Sequence, residues 1–81
     1  MEKSIHSEEY EVFVRLLRDA RKMRRFTQTD LAEKLDRPQS FVSKIETGER
    51  RLDLVEFLFV AKALRLDASK FVRKLSRTLA E

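Results

Sequence analysis

One proline and one glycine serve the whole of this 81-residue chain, and they stand ten residues apart, as Pro38 and Gly48, around the stretch QSFVSKIET. β-Hairpins close on glycine-bearing or proline-bearing turns, and a chain with so little turn chemistry has no means of closing several of them. Leu, Ala, Glu, Lys and Arg dominate the remainder and are good helix formers. The expected fold class is therefore all-α.

The same two residues say where one helix lies. Proline disfavours helical geometry at the residue before it, here Arg37, and has no N–H to donate. It suits the start of a helix, where that donor would be unsatisfied anyway, while Gly48 supplies a left-handed residue at the far end. A short third helix over about residues 39 to 47 is predicted between them, with Val42 and Ile45 pointing one way and Phe41 beside them, partly buried. Gln39, Ser40, Ser43, Lys44 and Thr47 share the other face.

Four more helices are predicted from capping residues and apolar spacing. Ser7 opens the first, with Glu8 and Glu9 at the positive end of the helix dipole and Tyr10, Phe13, Val14, Leu17 and Ala20 as its apolar stripe. It ends near residue 24 in RKMRR, cations that suit the negative end of the dipole or a phosphate. Thr27 and Asp30 make a capping-box-like start to a second helix over about 28 to 35, with Leu31, Ala32 and Leu35 inward. Asp53 and Glu56 open a fourth, LVEFLFVAKAL, apolar nearly all round and so expected to be the central buried helix. Asp67 caps a fifth over about 68 to 80, with Phe71, Val72, Leu75 and Leu79 on one face. No repeat, linker or low-complexity segment interrupts this series, so residues 1 to 81 are read as one domain.

The net charge of +4 is unevenly placed: −2 over residues 1 to 20, +4 over 21 to 51 and +2 over 52 to 81. A positive surface attracts polyanions, though a total this small raises the expectation of nucleic-acid binding only slightly. The chain has no cysteine for disulfides or a thiolate metal site, no apolar run of membrane-spanning length, and no secretion signal in MEKSIHSEEYE. A soluble cytoplasmic protein with no membrane contact is expected. Catalysis is not: His6 is the only histidine, and neither a Gly-rich phosphate loop nor a carboxylate cluster apart from helix ends is present. No cofactor and no metal are expected, and His6 is given no role.

Two short helices joined by a tight turn, the second with a slim polar face, make the plan of a DNA-binding helix-turn-helix, here about residues 28 to 47. Close crossing needs a small residue at the contact, and Ala32 is placed for it against Val42. Gln39, Ser40, Ser43 and Lys44 are short or flexible hydrogen-bonding side chains suited to base edges in the major groove.

The stretch TQTDLAEKLDRPQSFVSKIETGERRLDLVEFLFVAKAL, residues 27 to 64, resembles the Xre-type helix-turn-helix family, to which phage repressors and Cro proteins belong. The resemblance implies a five-helix, lambda-repressor-like domain that reads double-stranded DNA as a dimeric transcriptional repressor on a palindromic operator, in a bacterial or phage setting on the nucleoid. It implies base contacts from Gln39, Ser40, Ser43 and Lys44, and phosphate contacts from Gln28 with Thr27 beside it and from Arg50 and Arg51 in the loop after the third helix. The chain departs from the family in the turn, where Asp36 stands for a frequent glycine and Arg37 for an apolar residue; Arg37 is thereby a further phosphate candidate. The fifth helix is a candidate dimer contact through Leu75 and Leu79. An alternative role is a protein-interaction module, such as the antitoxin of a toxin–antitoxin pair.

Overall fold

The computed structural model describes residues 7–81; His6 and the residues before it lie outside the described residues. Among those described there are five helices and no strand: α1 (Glu8–Met23), α2 (Gln28–Lys34), α3 (Gln39–Glu46), α4 (Leu54–Ala63) and α5 (Ala68–Ala80). The expected helices are all present, with ends that differ by about one residue.

The capping residues act as their chemistry requires. Ser7 accepts from the amide of Tyr10, and Asp67 from that of Lys70. Thr27 with Asp30, and Asp53 with Glu56, each form a complete reciprocal capping box. The C-terminal ends are more informative. Gly48 takes φ 81° after α3, but Arg25, Asp36 and Arg65 also take left-handed values of 58°, 54° and 56° after α1, α2 and α4. In each of these three the next residue's amide reaches back to close the turn, Phe26 to the Arg21 carbonyl, Arg37 to Ala32 and Leu66 to Ala61. A left-handed conformation costs a non-glycine residue about 1 kcal/mol, so the turns need support from the residues next in the chain. Half-buried Phe26 and Leu66 pack against the core immediately after Arg25 and Arg65. The Arg24 guanidinium adds a second tie, donating to the carbonyls of Leu64 at 2.7 Å and Arg65 at 2.8 Å.

The core gathers Leu17 of α1, Leu31 and Ala32 of α2, Phe41, Val42 and Ile45 of α3, Phe57, Val60 and Ala61 of α4, Leu64 just beyond it, and Phe71 of α5. Ala32 and Val42 are both buried, as the close crossing of α2 and α3 demands. Phe13, Phe57 and Phe71 form an edge-to-face and tilted ring cluster with centroids 5.3 to 6.0 Å apart that seats α1, α4 and α5 on one another. The Tyr10 hydroxyl donates to the Arg50 carbonyl and accepts from the Leu52 amide, pinning the loop after α3 to α1.

One expectation fails. α4 is not buried all round: Phe57, Val60 and Ala61 face inward, while Leu54, Val55, Leu58 and Phe59 stand exposed, Leu54 by 70% and Phe59 by 62%. α2 and α5 pack against its inner side, so among the described residues the apolar side chains on its outer side remain largely exposed.

Leu64 has 0% exposure and Met23 85%. Leu64→Ala is expected to destabilise the fold by about 3 kcal/mol, through lost transfer energy and a residual cavity. Met23→Ala should stay within about 0.5 kcal/mol of the parent in the same urea titration. A small effect at Leu64 would show that the core does not close on that side chain.

Candidate nucleic-acid interface

α3 sorts its residues as the spacing demands. Phe41, Val42 and Ile45 are buried, while Gln39, Ser40 and Lys44 are exposed and Ser43 half-buried on the outer face with Thr47. Its N-cap is Pro38, φ −67° and ψ 155°, which has no side-chain acceptor, so α3 starts without the side-chain cap that each of the other four helices has. A slim polar ridge therefore lies on the outside of the molecule, beginning at Gln39.

Gln39 is not loose on that ridge. Its Nε2 donates to Gln28 Oε1 at 2.7 Å, and Gln28 Nε2 donates to Glu46 Oε1 at 3.1 Å. Glu46 is in turn paired with Arg21, whose Nε donates to Glu46 Oε2 at 2.6 Å and whose Nη2 donates to Glu46 Oε1 at 2.9 Å. The third guanidinium nitrogen, Nη1, donates to the Phe26 carbonyl at 2.7 Å. Arg21 is only 7% exposed, and a planar fork of this kind matches a carboxylate edge two bonds at a time. A continuous chain of hydrogen bonds thus runs from the last turn of α1, through the end of α3 and the start of α2, to the first residue of α3.

Neither Arg21 nor Glu46 is named among the expected base and phosphate contacts, and RKMRR reads in the sequence as a run of cations suited to a solvated helix end or to a phosphate. The spacing nevertheless holds the signal for Arg21, which takes the next position of the α1 stripe after Tyr10, Val14 and Leu17 and must face inward with them.

Thr27 and Gln28 sit together at the start of α2, where the Thr27 hydroxyl oxygen accepts from the Asp30 amide at 3.0 Å. Asp30 answers by accepting from the Thr27 amide at 2.8 Å, and this bond, followed by the interaction of its carboxyl with the Thr27 hydroxyl, holds the carboxyl below the usual aspartate range.

The arginines expected at phosphates lie against aromatic rings. The guanidinium of Arg37 stands 4.6 Å from the centre of the Phe41 ring, Arg50 stands 4.8 Å from the same ring, and Arg51 stands 4.5 Å from that of Tyr10. Arg37 and Arg51 are exposed. Arg50 is half-buried and engaged further: Nη1 and Nη2 grip the two Glu56 oxygens at 3.0 and 2.7 Å, and Nη1 also donates to the Arg51 carbonyl. A phosphate contact from Arg50 has to be shared with, or taken from, this set.

The family model described as Helix-turn-helix matches residues 17–71. Among solved structures, an XRE-family like protein from Pseudomonas syringae pv. tomato str. DC3000 is 42% identical, with 91% of this chain and 90% of that chain covered and a TM-score of 0.85. The wild-type restriction-modification controller protein C.Esp1396I is 22% identical over 94% of this chain and 100% of its own, with a TM-score of 0.83. A tetramer of the same controller protein in complex with its natural 35 base-pair operator gives 22% identity and a TM-score of 0.82, over 94% of this chain and 100% of that one. No curated protein matches the chain.

The Arg50 fork, and after it the Asp53 amide, hold the Glu56 carboxyl at about 2 against an ordinary 4.5. A carboxyl depressed in the folded chain adds stability above its unfolded pKa and loses it as pH falls through the folded value. Denaturation of the parent chain should therefore show stability falling between pH 4.5 and about 2. Glu56→Gln is expected to be less stable than the parent at pH 7 and to lose less across that window. Equal losses in the two proteins would place the acid sensitivity on other carboxyls.

Proposed function

The chain belongs to the XRE-type helix-turn-helix family, and on that premise we propose that it is a sequence-specific regulator of transcription that binds double-stranded DNA, without cofactor or catalysis. The observation that carries this reading is the outward ridge of α3, with Gln39, Ser40, Ser43 and Lys44 aligned on one side of a helix whose opposite side is buried. An α-helix fits the major groove, and short donors and acceptors on its exposed side reach base edges there. Thr27 and Gln28 at the start of α2, with Arg37 and Arg51 flanking, are assigned to phosphates, which fix register without reading sequence. Arg50 is assigned there too, its guanidinium shared with Glu56. The controller protein seen on its operator supports this use of the fold.

The exposed apolar stripe of α4 gives the reading its second half. Leu54, Val55, Leu58 and Phe59, continued by Val72 and Leu79 of α5, are exposed apolar side chains. A groove of about 430 Å³ where α4 and α5 meet the start of α1 and the loop before α4 counts Leu54, Phe57, Phe71, Val72 and Leu75 in its lining, with Glu9 and Arg51 at it as well. Contiguous apolar surface of this kind marks an interface. The occupant we assign is a second copy of the chain, so that two α3 ridges meet half-sites of a palindromic operator about 34 Å apart. The expected dimer contact thereby widens from Leu75 and Leu79 to include α4. A dimer covering an operator that overlaps a promoter acts as a repressor.

Gln39→Ala is expected to weaken operator binding by about 1 to 3 kcal/mol and to relax one base position, read by selecting sequences from a random duplex pool. Parent binding should fall steeply as salt rises. Unchanged affinity and base preference in the mutant would sink the assignment of Gln39.

Leu54→Glu places an acidic group in the first turn of α4, where the helix dipole tolerates it. The helical circular dichroism should be retained while sedimentation shows a dimer converted to monomer. A parent chain that sediments as a monomer with DNA bound would instead leave the stripe to a different protein, as in the antitoxin alternative.

A further inference from the structure

Hydrogen-bond polarity runs one way along the chain from Arg21 to Gln39. A guanidinium only donates and an ionised carboxylate only accepts. Glu46, gripped by Arg21 at 2.6 and 2.9 Å, therefore has only acceptor capacity for Gln28. Gln28 must turn its amide nitrogen toward Glu46, which leaves its oxygen toward Gln39. Gln39 must in turn answer that oxygen with its own nitrogen, at 2.7 Å. Each amide orientation is thus dictated by the chemistry of the group before it, beginning at a buried ion pair. What remains on Gln39 for a base is its oxygen and one N–H.

We propose that Glu46 is a positioning residue for base recognition: by fixing the direction of both glutamine amides, it makes Gln39 present one acceptor and one donor, and so favour adenine over guanine at the base it reads. The proposal rests on the reading of α3 as the DNA-contacting helix and deepens it. Adenine shows N7 as acceptor and N6–H as donor in the major groove, which matches an oxygen and an N–H; guanine shows N7 and O6, two acceptors, which does not. Without the relay an amide can rotate by half a turn and offer two N–H groups. The ion pair therefore does more than join α1 to α3.

The decisive variant is Glu46→Gln. With its oxygen toward Arg21 Nε, the new amide turns an N–H toward Gln28, which then accepts with its oxygen and faces Gln39 with its nitrogen. Gln39 accepts that N–H through its own oxygen and keeps both of its N–H groups for the base, the pattern guanine takes. Arg21→Lys retains the carboxylate and weakens the ion pair, so it lowers thermal stability and leaves the polarity unchanged. Gln28→Met cuts the relay without touching the ion pair.

The experiment competes the operator duplex selected by the parent chain against a duplex carrying a single A·T to G·C change at the Gln39-dependent position. The parent is expected to prefer adenine by on the order of tenfold. Arg21→Lys should keep that ratio with a lower Tm, Gln28→Met should bring it close to one, and Glu46→Gln should bring it to one or invert it. A merely structural role for Glu46 would lower Tm and affinity with the ratio intact. If Gln39→Ala alters one base position yet Glu46→Gln and Gln28→Met both keep the parent ratio, the relay is overturned and the reading of α3 survives. If Gln39→Ala alters no position, the reading of α3 is overturned and the relay falls with it.

Discussion

The pairing of Arg21 with Glu46 sets the geometry on which the rest of the molecule depends. An arginine taken out of water costs several kcal/mol, and the attraction to a carboxylate repays this only when the geometry is good and the nitrogens find acceptors. Here all three guanidinium nitrogens do, two on Glu46 and one on the Phe26 carbonyl. Removing one partner of such a pair costs about 3 to 5 kcal/mol, whereas replacing both by apolar groups of like volume is often neutral. Its value therefore lies in direction. It sets the end of α3 against the last turn of α1 and, through Phe26, fixes where the chain enters α2.

With that joint in place, the remaining apolar side chains close one cluster, and the surface they leave uncovered is equally determined. α2 and α3 cross at Ala32 and Val42 and bring Phe41 inward, which turns the polar residues of α3 out. α4 is touched by α2 and α5 on its inner side, so among the described residues its outer leucines and Phe59 are left exposed. The ring of Phe41 links the two regions, with Arg37 and Arg50 against it and Arg50 tied to the first turn of α4 through Glu56. The loop that carries the basic residues is thus braced from three sides: by Phe41, by Glu56 and by the Tyr10 hydroxyl.

Features that a residue shares with its near neighbours are legible in the sequence. Pro38 and Gly48 bound α3 correctly, Thr27 with Asp30 and Asp53 with Glu56 are capping boxes, and the two faces of α3 fall where the spacing puts them. Asp36, a residue type that tolerates a left-handed conformation, adopts it. Arg25 and Arg65 do the same without any local signal, because the stabilisation comes from Phe26 and Leu66 docking on the core and from Arg24 reaching across to the end of α4. α4 misleads for a related reason. Hydrophobicity measures a side chain's preference for burial, and whether anything arrives to bury it depends on where four other helices go. The ion pair of Arg21 with Glu46 joins residues 25 apart, a distance at which charge pattern alone does not choose a partner.

The two classes of polar residue on α3 are unequally free to change. Ser40 and Lys44 stand exposed on the ridge, and exposed substitutions away from caps and networks usually move stability by less than about 0.5 kcal/mol. Gln39 faces the same solvent but is joined to Gln28, Gln28 to Glu46, and Glu46 to Arg21. Altering it leaves the Gln28 oxygen to solvent, whereas altering Glu46 strands a buried guanidinium, which is far more costly than losing a surface contact. In a DNA-reading α3, the bases met by Ser40 and Lys44 can therefore drift with little consequence for folding, while the base met by Gln39 is coupled to the joint that sets the helix in place.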